Sequence, residues 1–464
     1  MRNRCAALVF AVAWPLLWLR LGHWFYLSID EGIYLEGARR AASGEVPYRD
    51  FFVLTGPGSF WLYGALFHWF GASLATARAM LCCELAGLCG CICWVIARFA
   101  NTAFAMGCAA LFLAMLLTTQ YPLYITHRWD SNALMLLALV CVIRKWPLAG
   151  GFCAGMAIWI TPPTLIVALV LAVGSQSLQL YAAGIAMPSL AAIASLLATG
   201  AGPDMFRSLL WDSSNYAAAN RLSYGALAGH SPADLVPVLL PPIALLACIA
   251  TRTRNLSLPA AAALASLVAC YPRFGAAQLL FGSAFFVVAL GCALASSLPH
   301  RGQTWTGAGL FAAAAVAVFA GWPHDAQAHI ETPVGALNVS RRHHIMLNDL
   351  LSTVRPGDSL FVYPYLPALY FVLGANNPTR YSFLQPGMMG SSDIQSVLRD
   401  LKAHPPRWIV WHDFTQDFIL KNWPSSDRSR LRYPDIESFF SANYHVVSPD
   451  GVQPIGYRLL ERNP

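Results

Sequence analysis

Charge is scarce in this sequence. Only 11% of its 464 residues are Asp, Glu, Lys or Arg, while 57% are apolar. Soluble domains carry about a quarter charged residues, so a water-soluble globular body is excluded and a polytopic membrane protein is expected. Cysteine is missing after Cys292, so the polar C-terminal stretch is not stapled by disulfides. Cys89, Cys91 and Cys93 have no second cysteine or histidine pair at ligand spacing, which removes a zinc pattern and leaves them as small apolar residues. No Gly-rich phosphate loop, Gly-x-Ser-x-Gly elbow or His-Glu-x-x-His run occurs, so nucleotide use within the apolar part has no support. The basic excess of +7 is dispersed rather than gathered on one face, so nucleic acid is not an expected partner.

Long apolar runs are abundant. Candidate spans lie near 5–27, 74–97, 102–121, 130–143, 147–160, 163–175, 179–199, 233–250, 256–271, 275–297 and 304–322. They total about eleven on the ~20-residue rule, three of them short. Met1-Arg2-Asn3-Arg4 and the apolar run after it read as a retained first helix, since no clear cleavage site precedes Asp30. With the N-terminus inside, the inner loops hold Arg2, Arg4, Arg98, Arg144, Lys145, Arg252, Arg254 and Arg301, with no acidic residue. The opposite loops hold Asp30, Glu31, Asp50, Asp130, Asp204, Asp212 and Asp234. This asymmetry predicts a cytoplasmic N-terminus, and an odd number of spans places the C-terminal part outside.

The chain therefore reads as mainly α: a membrane domain over 1–322 with outer loops 28–73 and 200–232, then a small extracytoplasmic α/β domain over 323–464. Residues 33–42 pattern as an amphipathic helix, and the aromatic run 58–70 suits the membrane interface. The loop 200–232 has a second amphipathic pattern. In the C-terminal part, 343–351 and 393–403 read as helices, 359–363 and 407–411 as strands.

Residues 28–57 hold five of the 23 acidic residues: Asp30, Glu31, Glu36, Glu45 and Asp50. Carboxylates at the mouth of a membrane helix are costly to keep, which points to chemistry. The adjacent Asp30 and Glu31, read as lying on a loop, suit two roles: one accepts a proton from a hydroxyl, the other orients it or binds a cation. A helix N-cap explains Asp30 equally well from spacing alone. His127-Arg128-Trp129-Asp130 puts a cation and a carboxylate on the same side as Asp30; interface anchoring by Arg128 and Trp129, with Asp130 as a helix N-cap, is the plainer explanation. Tyr271-Pro272-Arg273 ends a span outside, where a guanidinium suits a lipid phosphate. Arg207 and Arg221 are weaker candidates for the same contact and read rather as the solvated face of an amphipathic helix, while Glu36 and Glu45 read as ordinary solvated charges. His343 and His344, with His324 and His329 nearby, match no zinc spacing and read as structural.

Taken together, Asp30-Glu31-Gly32-Ile33-Tyr34, Tyr48-Arg49-Asp50, Gly56-Pro57-Gly58, Phe70-Gly71 and Ala77-Arg78 resemble the GT-C membrane glycosyltransferases, in particular the protein O-mannosyltransferase and lipid A aminoarabinose transferase group. The resemblance is good over about 25–135, looser to 322 and weak beyond. It implies transfer of a sugar from a polyprenyl-phosphate carrier to a lipid, glycan or protein acceptor at the outer face of the cytoplasmic membrane. Asp30 would activate the acceptor with Glu31 beside it, and Arg273 would hold the carrier phosphate. Arg39, Asp50, His127, Arg128, Asp130 and Tyr271 are expected to contact substrate. Arginine or a divalent cation would stabilise the leaving phosphate. Two departures bear on the donor: Gly56-Pro57-Gly58 replaces a more usual Lys-Pro-Pro, and Gln278 stands where a histidine is common. A secondary transporter or flippase is the main competing class. It predicts mid-membrane charge and two related halves; Glu84 is the one deep acidic candidate, and no repeat is present.

Overall fold

The computed structural model describes residues 1–119, 121, 123–228, 232–251, 257–322, 327–412, 414–447 and 456–464. Arg252, Arg254 and His324, which entered the charge and histidine readings, lie outside the described residues. Each of the apolar segments is a helix. They are α1 (Arg2–Leu21), α4 (Leu74–Ile96), α5 (Thr102–Thr118), α6 (His127–Ile143), α7 (Pro147–Ile160), α8 (Leu165–Gly174), α9 (Leu178–Ala198), α12 (Pro232–Thr251), α13 (Ser257–Val268), α14 (Ala276–Ser297) and α15 (His300–Gly321). Among the described residues, 6 helices are long and apolar enough to cross a membrane by length and composition: α1, α4, α9, α12, α14 and α15. The others are shorter and pack against these longer ones.

Burial sorts the bundle into axis and rim. The apolar windows of α4 and α14 are 72% and 78% buried, against 17% for α1 and 11% for α15. The first two are therefore enclosed by protein, while the outer pair presents apolar side chains to the surroundings, as lipid requires. The two ends of the bundle also differ. Met1, Arg2, Asn3, Ala97, Ala100–Ala103, His300 and Thr304 meet at one end, where Arg144 lies over the rings of Trp94 and Trp146. The acidic connections meet at the other.

Between α1 and α4 the chain forms α2 (Ile29–Ala42) and α3 (Gly58–Phe70). Residues 28–57 are thus not simply a loop. The helix expected over 33–42 begins at Ile29, so Asp30 and Glu31 occupy its first turn, where carboxylates favour the positive end of the helix dipole. Glu36 is not solvated either: it is fully buried and Arg39 grips both its oxygens at 2.9 Å. The long connection 200–232 carries α10 (Gly202–Phe206), a π-helical turn over Arg207–Asp212 and α11 (Ser213–Ala219).

The C-terminal part opens with an antiparallel hairpin, β1 (Gln327–Thr332) and β2 (Gly335–Ser340), then α16 (Arg341–Thr353). A four-stranded sheet follows in the order β3-β4-β6-β5, from β3 (Leu360–Tyr363), β4 (Trp408–His412), β5 (Tyr444–Val446) and β6 (Tyr457–Arg462). β3 and β4 are parallel and the other pairs antiparallel. The sequences Leu-Phe-Val-Tyr and Trp-Ile-Val-Trp are buried without alternation, as strands covered on both faces must be. Helices α17 (Ala368–Leu373), α18 (Ser391–Ala403), α19 (Gln416–Asn422) and α20 (Pro434–Asn443) complete this part.

The sheet end and α2 share one apolar core: Leu35 and Ala38 belong to the same cluster as Leu369, Tyr370 and Phe371. Backbone and guanidinium contacts reinforce the join. Phe25 N donates to Asn338 O at 2.9 Å and Asn338 N to His23 O at 2.7 Å. Arg39 reaches the carbonyl of Ala375 at 2.8 Å, and Arg40 that of Thr379 at 3.1 Å. Gly32 is required where α2 meets α17, because a Cβ there would sit 2.1 Å from the Ala368 nitrogen.

Candidate active site

A cavity of about 560 Å³ lies at the acidic end of the bundle. Its wall combines the first turn of α2, the segment before α6, α11, the start of α14 and the C-terminal part. Asp30, His127, Arg128 and Arg273 all line it, so four of the nine residues singled out from sequence converge.

Asp30 is open to this space. Its Oδ2 accepts a hydrogen bond from the Tyr124 hydroxyl at 3.0 Å. Burial, and then the Asp30 carboxylate, hold the Tyr124 phenol well above its ordinary range. It therefore remains a neutral donor to the carboxylate. Burial likewise raises the phenols of Tyr34, Tyr216 and Tyr365, which line the same cavity. Arg128 lies close to the Tyr216 phenol and opposes part of that rise. Arg273 donates from Nη2 to the Asn422 carbonyl at 2.9 Å, while its Nη1 is buried without a hydrogen-bond partner among the described residues. The His127 ring stacks on Tyr34 and places Nδ1 2.7 Å from the Thr161 hydroxyl. One carboxylate and two guanidiniums thus face an aromatic, partly enclosed space. Such a set can accept a proton and hold an anion side by side.

The other residues lie elsewhere. Glu31 turns away from the cavity into a fully buried ion pair with Arg78 of α4, Nη1–Oε1 2.6 Å. Asp130 is buried behind the wall against Glu84 and Tyr63, and accepts a short hydrogen bond from the Ser59 hydroxyl. Arg39 is held by Glu36 on the sheet-facing side of α2. Asp50 closes the turn after α2, taking Val46 N at 2.7 Å and the Arg49 guanidinium at 2.8 Å; the arginine holds its carboxyl below the usual range. Tyr271 is 53% exposed and does not line the cavity. The stretch Gly56-Pro57-Gly58 has a packing cause, since a Cβ on Gly56 would lie 1.9 Å from the Trp159 carbonyl oxygen.

Gln278 lines the cavity, as do Tyr34, Tyr124, Tyr216, Tyr365, Gln385 and Asn422, which local sequence did not single out. Tyr124 had a positional signal, three residues before His127. Tyr365, Gln385 and Asn422 had none, because only the fold brings the C-terminal part over the cavity. Among the described residues no group of three or more His, Cys, Asp or Glu is arranged to hold a metal ion.

No family model matches the sequence and no curated protein sequence is similar to it. Among solved structures, the crystal structure of ArnT from Cupriavidus metallidurans bound to undecaprenyl phosphate matches along almost the whole length. The match has a TM-score of 0.58 at 15% identity and covers 98% of this chain and 97% of that one. The chain has the fold of that structure. At this identity the likeness is one of architecture. In this chain the fold brings α2, the segment before α6 and the start of α14 together around the cavity.

Proposed function

We propose that the protein is a membrane glycosyltransferase. It moves a sugar from a polyprenyl-phosphate carrier to an acceptor hydroxyl at the outer face of the cytoplasmic membrane. The observation that supports this best is the cavity in which Asp30 faces Arg128 and Arg273 across a ring of neutral phenols. The undecaprenyl phosphate held by the ArnT structure gives the same reading for the donor.

In this reading Asp30 takes the acceptor proton as the acceptor oxygen attacks the anomeric carbon. The bond from that carbon to the phosphate oxygen breaks, and the phosphate leaves with the electron pair. Arg128 and Arg273 meet the charge that develops on it, which lowers the barrier because it grows towards the transition state. A single displacement of this kind inverts the anomeric centre. Tyr124 orients Asp30 while remaining protonated. The acceptor is a lipid, glycan or protein hydroxyl.

The test is a transfer assay with the full-length protein in vesicles and a radiolabelled undecaprenyl-phosphate sugar outside. Label that moves to an acceptor, with release of undecaprenyl phosphate, supports the transferase. Label that crosses the bilayer with its carrier bond intact supports a flippase instead.

A further inference from the structure

The side chain next to the proposed base is wholly buried. Glu31 accepts from both terminal nitrogens of Arg78, Nη1 at 2.6 Å and Nη2 at 3.1 Å. The same guanidinium reaches the Trp24 carbonyl at 2.9 Å and the Leu123 carbonyl at 3.5 Å. Ile125 N completes the set, donating to Glu31 Oε1 at 3.3 Å. Three separate pieces of chain therefore meet on one ion pair: the residues leading into α2, the first turn of α2, and the segment before α6. Tyr124 sits between Leu123 and Ile125, and Asp30 precedes Glu31. Both ends of the Tyr124–Asp30 hydrogen bond are thus flanked by residues tied to Arg78.

We infer that Arg78 and Glu31 are positioning residues that aim Asp30 and Tyr124 into the cavity; this rests on the transferase reading above. Stability alone does not account for the pair. Two charges taken out of water recover their desolvation cost poorly, and an apolar pair of similar volume holds a core as well or better. What an apolar pair lacks is direction. Arginine's planar fork binds several acceptors in fixed relation, which a lysine ammonium does not reproduce. Neither residue lines the cavity, so neither is placed to touch substrate.

The experiment uses the full-length protein in lipid nanodiscs with 3-fluorotyrosine at position 124. Three changes are compared: Asp30→Asn, Arg78→Lys, and the double Glu31→Leu/Arg78→Met. The fluorine resonance reads the hydrogen bond whether or not the protein turns over. Asp30→Asn is expected to shift it, and both Arg78 changes are expected to shift it in the same direction. In the transfer assay kcat falls roughly 10–100-fold, as misplacement of about 1 Å does, while KM for the donor stays within about 2-fold. A folded double variant with an unmoved resonance and unchanged kcat overturns the inference. So does a raised KM with an unmoved resonance, which makes the pair donor contacts instead. Should Asp30→Asn transfer at the wild-type rate, the base assignment fails, and the resonance still decides the positioning.

Discussion

In the first turn of α2, helical geometry separates neighbouring side chains by about 100°. That rotation sends Asp30 to the cavity and Glu31 to Arg78. Asp30, Arg128 and Arg273 were legible in the sequence because a charge at the end of an apolar run needs a reason. The ion pair of Glu31 was not, since its partner lies 47 positions further on, inside an apolar helix. Glu36 was missed for the same kind of reason: α2 is covered on a second side by the C-terminal part. Glu31→Leu alone leaves a buried guanidinium unpaired and is expected to cost about 3–5 kcal/mol, whereas Glu31→Leu/Arg78→Met costs far less; thermal unfolding in detergent separates the two. The raised Tyr124 phenol gives a pH prediction. Its neutral, donating form persists above the ordinary tyrosine value, so kcat is expected to show no phenolic fall up to about pH 10. A fall centred clearly below that value would mean that Tyr124 ionises in the working enzyme.

Among elements, the apolar runs announced their helices, and 393–403, 359–363 and 407–411 appear as α18, β3 and β4. The start of α2 was harder to read, because Asp30-Glu31-Gly32 has the composition of a turn and its helix is fixed by packing. Gly32 lies against the Ala368 backbone of α17, and Gly56 against the Trp159 carbonyl of α7. Neither contact is visible locally, so Gly56-Pro57-Gly58 read only as a missing lysine. Gly32→Val is expected to force α17 off α2 and to lower both stability and transfer, by about 1–3 kcal/mol of overpacking strain. Unchanged unfolding temperature in that variant would show that the two helices separate without cost.

At the scale of the whole molecule, the charge asymmetry divides the bundle into two ends, and the cavity lies at the acidic one. Which end faces the cytoplasm is a proposal from the basic residues. A cysteine introduced at Arg432 is expected to react with a membrane-impermeant maleimide added to intact cells, and one at Arg144 only after permeabilisation; the reverse pattern would invert the topology. The C-terminal part was legible as a small α/β unit but not as a cavity wall, since Tyr365, Gln385 and Asn422 come to the cavity only when that part packs on the bundle. The central claim is that Asp30 is the base of a sugar transfer, and the most direct measurement is single-turnover transfer from a labelled undecaprenyl-phosphate sugar by Asp30→Asn. A loss of about 10²–10⁴-fold with donor binding retained is predicted; transfer at the wild-type rate would contradict the account.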